Sequence, residues 1–399
     1  MPNFFGLTKK WIAGIQQQKR PIWEVSLIFL KLGILAFGGP AAHIAMMENE
    51  FVQKRQWLDR TRFLELVGAS NLIPGPTSTE LAIYLGYLRA GWPGLILAGT
   101  FFILPAMVIV LLLARVYVYY GTLPQVALVL YGIKPVIIAI IIQAVWKLGK
   151  AAVKDAPGAL TSGLALVLSF LALNPLLVLI TSGMFVIAIK RLEKLKANMI
   201  IIPISLLATI SMTTNQVAQS STVVKLSMTA MFLIFLKIGA IVYGSGYVLL
   251  PFLWTDFVQN YQVLTSQQLL DAVAIGQFTP GPVFTTATFI GYIIAGIPGA
   301  IISTIAIFLP SFIFVPFINA FLGKIKTSVV ASDFLGGVIV ASLALMVSVT
   351  WTLTFSSIVD WMTGVIAVVS VIAIFKYNLN TSWLIVVGGL IGLFKFFTG

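Results

Sequence analysis

Two clusters of hydroxyl-bearing residues, each following a Pro-Gly-Pro triplet, carry the clearest chemical signal in the sequence. Asn71-Leu72-Ile73-Pro74-Gly75-Pro76 runs into Thr77-Ser78-Thr79-Glu80, and Gln277-Phe278-Thr279-Pro280-Gly281-Pro282 runs into Val283-Phe284-Thr285-Thr286. Proline removes a backbone donor and glycine adds backbone freedom, so either triplet interrupts a helix. A helix that restarts after such a break presents unpaired amides at its N-terminus, where the aligned peptide dipoles attract anions. Thr77, Ser78, Thr79, Thr285 and Thr286 can donate to an oxyanion there, or simply cap the helix. For the two clusters together a ligand role is the expectation, with Asn71 and Gln277 in matching places ahead of the triplets.

A cation for such an anion is available twice. Lys31 and Lys237 each stand six residues before a glycine-centred break, Phe37-Gly38-Gly39-Pro40 and Tyr243-Gly244-Ser245-Gly246. A lysine in hydrocarbon is unfavourable by about 2.5–3.5 kcal/mol, so such a residue is by default functional or paired. Snorkelling, or a structural bridge to Glu80 or Asp271, is the competing reading. Gly38, Gly39, Gly244 and Ser245 form a second pair of breaks whose amides suit an anion-binding nest, with close helix packing as the alternative. Glu65, Glu80 and Asp271 are the carboxylates nearest the breaks and hence the proton-coupling candidates. For Glu65 and Asp271, charge pairing at the membrane edge is slightly preferred. His43, the single histidine, reads as a satisfied packing residue, and Lys134-Pro135 as a kink.

These residues need a scaffold, and composition sets its class. Of 399 residues, 59% are hydrophobic and 9% charged, with a mean hydropathy of +1.03. That combination describes an all-α polytopic membrane protein, since a β-barrel would show short alternating segments. The basic start, with Lys9, Lys10, Lys19 and Arg20, carries no small-residue cleavage site of a signal peptide. Zero cysteines exclude disulfides and thiol catalysis. The net charge of +13 is read as cytoplasmic loop charge rather than as a nucleic-acid surface.

The chain repeats itself. At an offset of 206 positions, Phe29-Leu30-Lys31-Leu32-Gly33 matches Phe235-Leu236-Lys237-Ile238-Gly239, Glu65 matches Asp271 and Asn71 matches Gln277. At 205, Gly86-Tyr87 matches Gly291-Tyr292, Pro93-Gly94 matches Pro298-Gly299, and Trp146 matches Trp351. The basic residues Lys54, Arg55, Arg60, Arg62 and Arg89 of the first half have no basic counterparts in the second, whereas Lys324 and Lys326 lie near the position of Arg115. Opposite charge bias predicts opposite orientation. The expected fold is therefore an inverted-topology repeat of two homologous halves, residues 1–196 and 225–399, with broken or re-entrant helices at both kinds of motif. The linker 197–224 adds a crossing over Met199 to Met212. Four crossings per half place the N-terminus in the cytoplasm and the C-terminus outside the cytoplasmic (inner) membrane. A first broken run that spans fully would leave the inversion intact but change the termini.

Inverted repeats with broken helices in matching positions point to a midplane substrate site in a secondary transporter. No phosphate-binding loop, kinase signature, catalytic triad or metal motif occurs, so neither enzyme activity nor a cofactor is expected.

Phe37-Gly38-Gly39-Pro40 with His43 nearby, followed by Asn71-Leu72-Ile73-Pro74-Gly75-Pro76-Thr77-Ser78-Thr79, resembles the chromate ion transporter (CHR) family. The likeness covers essentially the whole chain and is to the long form, with two homologous domains fused in opposite orientation. It implies efflux of chromate from the cytoplasm, with sulfate as a similar competitor. In the second half Gly244-Ser245-Gly246 replaces Gly-Gly-Pro, and Val283-Phe284 replaces Thr-Ser, which assigns more of the anion ligands to the first half. The expected partners are a small inorganic oxyanion and the lipid bilayer, with a homodimer left open. An importer or exchanger of sulfate or another anion, coupled to protons or sodium, is the alternative. A membrane scaffold or intramembrane enzyme is a third reading, weakened by the lack of paired catalytic groups.

Overall fold

A computed structural model of the chain describes residues 22–37, 39–121, 123–153, 155–194, 226–244 and 246–398. Gly38, Ser245 and the 197–224 linker with its expected crossing lie outside the described residues. The first half opens with α1 (Ile22–Leu35), which stops before Ala36-Phe37. α2 (Gly39–Glu48) follows and widens into a π-helical turn over Asn49–Lys54. α3 (Arg60–Ser70) starts where the Asp59 carboxylate accepts from the Arg62 amide at 2.8 Å. Gly75-Pro76 is extended as β1, and α4 (Thr77–Tyr120) begins at once, followed by α5 (Pro124–Ala152), α6 (Ala156–Phe170) and α7 (Pro175–Lys194).

The second half reproduces the order of the helices, with its short strand at the first break instead of the second. It contains α8 (Met228–Ile241), β2 (Tyr243–Gly244), α9 (Leu249–Leu253) with a π-helical turn at Trp254–Asn260, and α10 (Ser266–Phe278). It continues with α11 (Thr286–Thr327), α12 (Val329–Ser357), α13 (Trp361–Tyr377) and α14 (Thr381–Thr398). Even the irregularities recur. Gln56 and Gln262 are both left-handed, with φ 49° and 51°. Asp155 and Asp360 both cap the helix that follows them, through the amides of Gly158 and Thr363. A duplication carries such details along because each is a local solution that the rest of the half packs around.

α4 and α11 are hairpins rather than rods. In α4 the chain turns at Ala90 (φ −140°, ψ 21°) and Gly91 (φ 62°, ψ −146°); in α11 it turns at Ala295 (−145°, 24°) and Gly296 (63°, −150°). That second conformation suits glycine alone. The limbs then lie flat on each other because glycine meets glycine. A methyl on Gly86 would overlap the Gly94 carbonyl, and one on Gly291 the Gly299 carbonyl. With little hydrophobic driving force in lipid, this backbone-to-backbone packing is what holds the limbs together. No heavy atom lies within 4 Å of a methyl added at Gly91 or Gly296, so substitution there meets only backbone strain. Gly91→Ala or Gly296→Ala is expected to cost roughly 1–3 kcal/mol, read as a lower melting temperature of the purified protein.

The excursions of the first half end beside the first turn of α1. Arg55, just after α2, bonds Glu24 in the first turn of α1 at 2.8 Å, and Arg89 at the end of the first α4 limb lies 3.6 Å from the same carboxylate. Arg89 also covers the Trp57 ring at 4.6 Å, beside the start of α3. Among the described residues, four helical stretches are long and apolar enough to cross a membrane: Thr77–Tyr120, Pro124–Ala152, Val283–Phe317 and Val329–Ser357. α6 and α13 are shorter, at 15 and 17 residues. At about 1.5 Å per residue they reach ~22–26 Å, below the ~30 Å hydrocarbon core.

Candidate functional site

The two Pro-Gly-Pro breaks meet at the seam between the halves. The Gly75 amide donates to the Val242 carbonyl at 2.6 Å, and the Gly281 amide donates to the Ala36 carbonyl at 2.8 Å. Gly281 and Val242 are the repeat counterparts of Gly75 and Ala36, so the contact is reciprocal, as a two-fold relation between the halves requires. On one side it extends into a parallel pairing of Gly75 with Tyr243 and Pro76 with Gly244. Gly75 sits at φ +138° and Gly281 at φ +94°, backbone conformations that other residues rarely adopt.

Thr77, Ser78, Thr79 and Glu80 form the buried first turn of α4, with 3, 2, 0 and 0% exposure. The turn has no side-chain cap, because the residue before it is Pro76. Ser78 Oγ lies 3.0 Å from His43 Nδ1, while His43 Nε2 lies 2.9 Å from the Ala36 carbonyl. The carbonyl can only accept, so Nε2 carries the proton and Nδ1 accepts from the serine. His43 is thus satisfied, as the sequence reading held. It also joins the first Pro-Gly-Pro turn to the carbonyl that receives the Gly281 amide, a link its distance in sequence concealed. Thr77 Oγ1 donates to Asn71 Oδ1 at 3.3 Å. Ser311 Oγ, from α11 of the other half, donates to Glu80 Oε1 at 3.3 Å. Among the described residues, Thr79 Oγ1, Ser70 Oγ and Glu80 Oε2 are buried without a hydrogen-bond partner.

The second half uses its polar atoms differently. Thr285 and Thr286 donate back to the carbonyls of Pro282 and Val283, at 2.9 and 2.8 Å. Gln277 Oε1 accepts from Tyr247 at 3.0 Å, leaving its amide nitrogen unpartnered. Gly39 begins α2 at φ +78°, and Gly246 packs against Val283.

The two lysines lie apart from this centre. Lys237 Nζ is 2.6 Å from Asp256 Oδ2, and Lys31 is exposed, its charge acting on Glu50. Glu50 and Asp256 are themselves counterparts 206 positions apart, a signal the sequence contained. The alternative of bridges to Glu80 or Asp271 is corrected accordingly. Glu80 meets Ser311, and Asp271 meets Lys134 Nζ at 3.3 Å and the Tyr117 hydroxyl at 2.9 Å. Asp271 is therefore a buried pair rather than an edge charge. Lys134 is its partner and not a mere kink residue, since α5 continues through Pro135. Glu65 is exposed and bonded to Arg62 at 2.6 Å, as edge pairing expects.

A cavity of about 520 Å³ leads away from the centre. Asn71 and Tyr243, beside the seam, contribute to its lining together with Asp155, Lys190 and Asp333. Lys190 Nζ bridges the two carboxylates, 3.4 Å from Asp155 and 3.0 Å from Asp333. The Gly158 amide, with help from Lys190, holds the Asp155 carboxyl below its usual range. The walls between are apolar, so a hydrated ion would lose most partners on the way to the seam.

The family described as Chromate transporter matches twice, over residues 23–187 and 229–393. The chain is 33% identical over 377 residues to the chromate transport protein of Cupriavidus metallidurans, covering 93% of this chain and 92% of that one. It is 32% identical over 367 residues to the probable chromate transport protein of Synechococcus elongatus, with 88% and 90% covered. The uncharacterized transporter YwrB of Bacillus subtilis is 32% identical over 160 residues, 40% of this chain but 80% of that protein. No solved structure matches the chain.

Proposed function

Because the chain belongs to the chromate transporter family, a multi-pass membrane family matched in both of its homologous halves, we propose that it exports chromate by alternating access across the cytoplasmic membrane. The observation that carries this reading is the seam itself: two broken helices from two repeats, bonded reciprocally at Gly75 and Gly281, with a cavity whose lining includes Asn71 and Tyr243. The uncapped first turn of α4 offers the amides and hydroxyls of Thr77, Ser78 and Thr79 to a tetrahedral oxyanion. The second-half threonines are turned onto their own carbonyls, which supports a site built mainly from the first half. Lys31 and Lys237 serve in this reading as flanking cations. The cavity lining includes Lys190, at the end that also carries Lys147, Lys150 and Arg191, and by the positive-inside bias that end is cytoplasmic.

Energetics favour export. A dianion leaving a negative interior gains roughly 2 × 2.3 kcal/mol per 100 mV, or about three decades of gradient. In proteoliposomes, chromate flux should follow an imposed potential and sulfate should compete. Absence of flux under every gradient would end the transporter reading. A second reading, proton- or sodium-coupled exchange or uptake of sulfate, draws support from Glu80, a fully buried carboxyl at the seam whose Oε2 has no partner. An imposed pH or sodium gradient that drives sulfate at zero potential would favour it.

A further inference from the structure

The repeat allows each wall of the cavity to be compared with its counterpart in the other half. Gly336 and Ile339 of α12 line the cavity; at the corresponding positions of α5, 205 residues earlier, stand Tyr131 and Lys134. Those two positions carry larger polar side chains, and both are tied down by partners. Lys134, 11% exposed, pairs with the 4% exposed Asp271 at 3.3 Å and donates to Gln267. Tyr117 donates to the same Asp271 from α4. Tyr131 donates to Asp360, which also takes Lys395 at 3.1 Å, and Lys395 covers the Tyr131 ring at 4.1 Å. Lys395 and Asp360 are the counterparts of Lys190 and Asp155 in the cavity lining. The same ion pair therefore occurs at both ends of the molecule, beside an open cavity at one and beside packed side chains at the other. Leu148 lines the cavity while its counterpart Leu353 is 0% exposed.

We propose that the substrate path continues from the seam through the Tyr131–Lys134–Asp271 region to the opposite face, and that the Lys134–Asp271–Tyr117 cluster is the gate closing that half. The proposal rests on the transporter reading above. The conformation seen is open toward Lys190, and the gate crosses between halves, joining α5 and α4 of the first to α10 of the second. An element spanning the seam in this way must part when one half rocks against the other. A buried pair suits that task. Its Coulombic gain roughly offsets desolvation, so it specifies one closed geometry with little net stabilisation to overcome.

The absence of native cysteine makes the test direct. Leu148→Cys and Leu353→Cys are made separately in otherwise full-length protein, and a membrane-impermeant maleimide is applied to each face of membrane vesicles. In the parent background, Leu148→Cys should label from the face bearing Lys190 and Leu353→Cys should be protected. Lys134→Met with Asp271→Asn leaves no lone buried charge. It should raise labelling of Leu353→Cys from the opposite face at least about tenfold and lower that of Leu148→Cys. The milder Tyr117→Phe, which removes one hydrogen bond, should raise it about two- to tenfold. Unchanged labelling in both backgrounds, with monodisperse protein, overturns the gate. Normal wild-type flux beside unchanged labelling removes the gate alone. Shifted labelling in a wild-type protein that carries no flux keeps the gate and removes the transport reading.

Discussion

Gly75→Ala should abolish chromate flux and lower the melting temperature by more than Gly39→Ala does. Two costs coincide there. The residue sits at φ +138°, and its new methyl would overlap Glu80 Oε1 and lie 2.5 Å from Ser311 Oγ. Backbone strain of roughly 1–3 kcal/mol adds to overpacking of similar size. The neighbours cannot yield, because Glu80 and Ser311 are both fully buried and belong to different halves. Relief would separate the Gly75 amide from the Val242 carbonyl, and with it the seam. Gly39→Ala is the control. Its φ of +78° is also strained, but nothing lies within 4 Å of the added methyl, so it should cost only the backbone component. Equal melting temperatures for the two variants would contradict the crowding argument.

Glu80→Ala is the second large effect, a loss of flux of at least about a hundredfold, or ~2.7 kcal/mol. A carboxyl with 0% exposure, one hydrogen bond and an unpartnered Oε2 is unfavourable wherever it lies, and more so at membrane depth. Evolution had an isosteric apolar solution available, so its presence at the seam points to use. Glu80→Gln separates the possible uses. The amide keeps the volume and the Ser311 bond but cannot exchange a proton. A coupling role requires that Glu80→Gln transport lose its response to an imposed pH gradient while substrate still binds. Unaltered rate and unaltered gradient response in Glu80→Gln would leave Glu80 a packing residue.

The duplication was plain in the sequence because residues with strong backbone roles, such as Pro74-Gly75-Pro76 and Gly86 with Gly94, survive at a fixed offset. The same logic pointed to the candidate site, since a helix break in apolar surroundings must be buried or line a cavity. Partners across the chain were not legible. Lys134 and Asp271 are 137 positions apart, and Tyr117 and Asp271 are 154 apart. Neither pairing follows any periodicity, because it depends on how α5 and α4 cross α10. The surroundings of Lys31 and Lys237 were legible only in part. Their matched positions marked them as special, and Glu50 and Asp256 lie in matched positions too, but Lys237 pairs with Asp256 while Glu50 is bonded to Arg55. The unequal first turns of α4 and α11 were visible as composition. Only the coordinates show that unequal composition becomes unequal hydrogen bonding, with Ser78 committed to His43 and Thr285 to its own turn.

The reciprocal amide bonds also bear on how such a chain could be divided. Gly75 takes its acceptor from the second half, and Gly281 takes its acceptor from the first. Neither half, isolated, contains the carbonyl its own glycine uses. Each would expose a broken helix whose amide has nowhere to go in lipid. Folding of one half is then completed only by the arrival of the other. Two separate half-chains should assemble into the working unit where one alone does not.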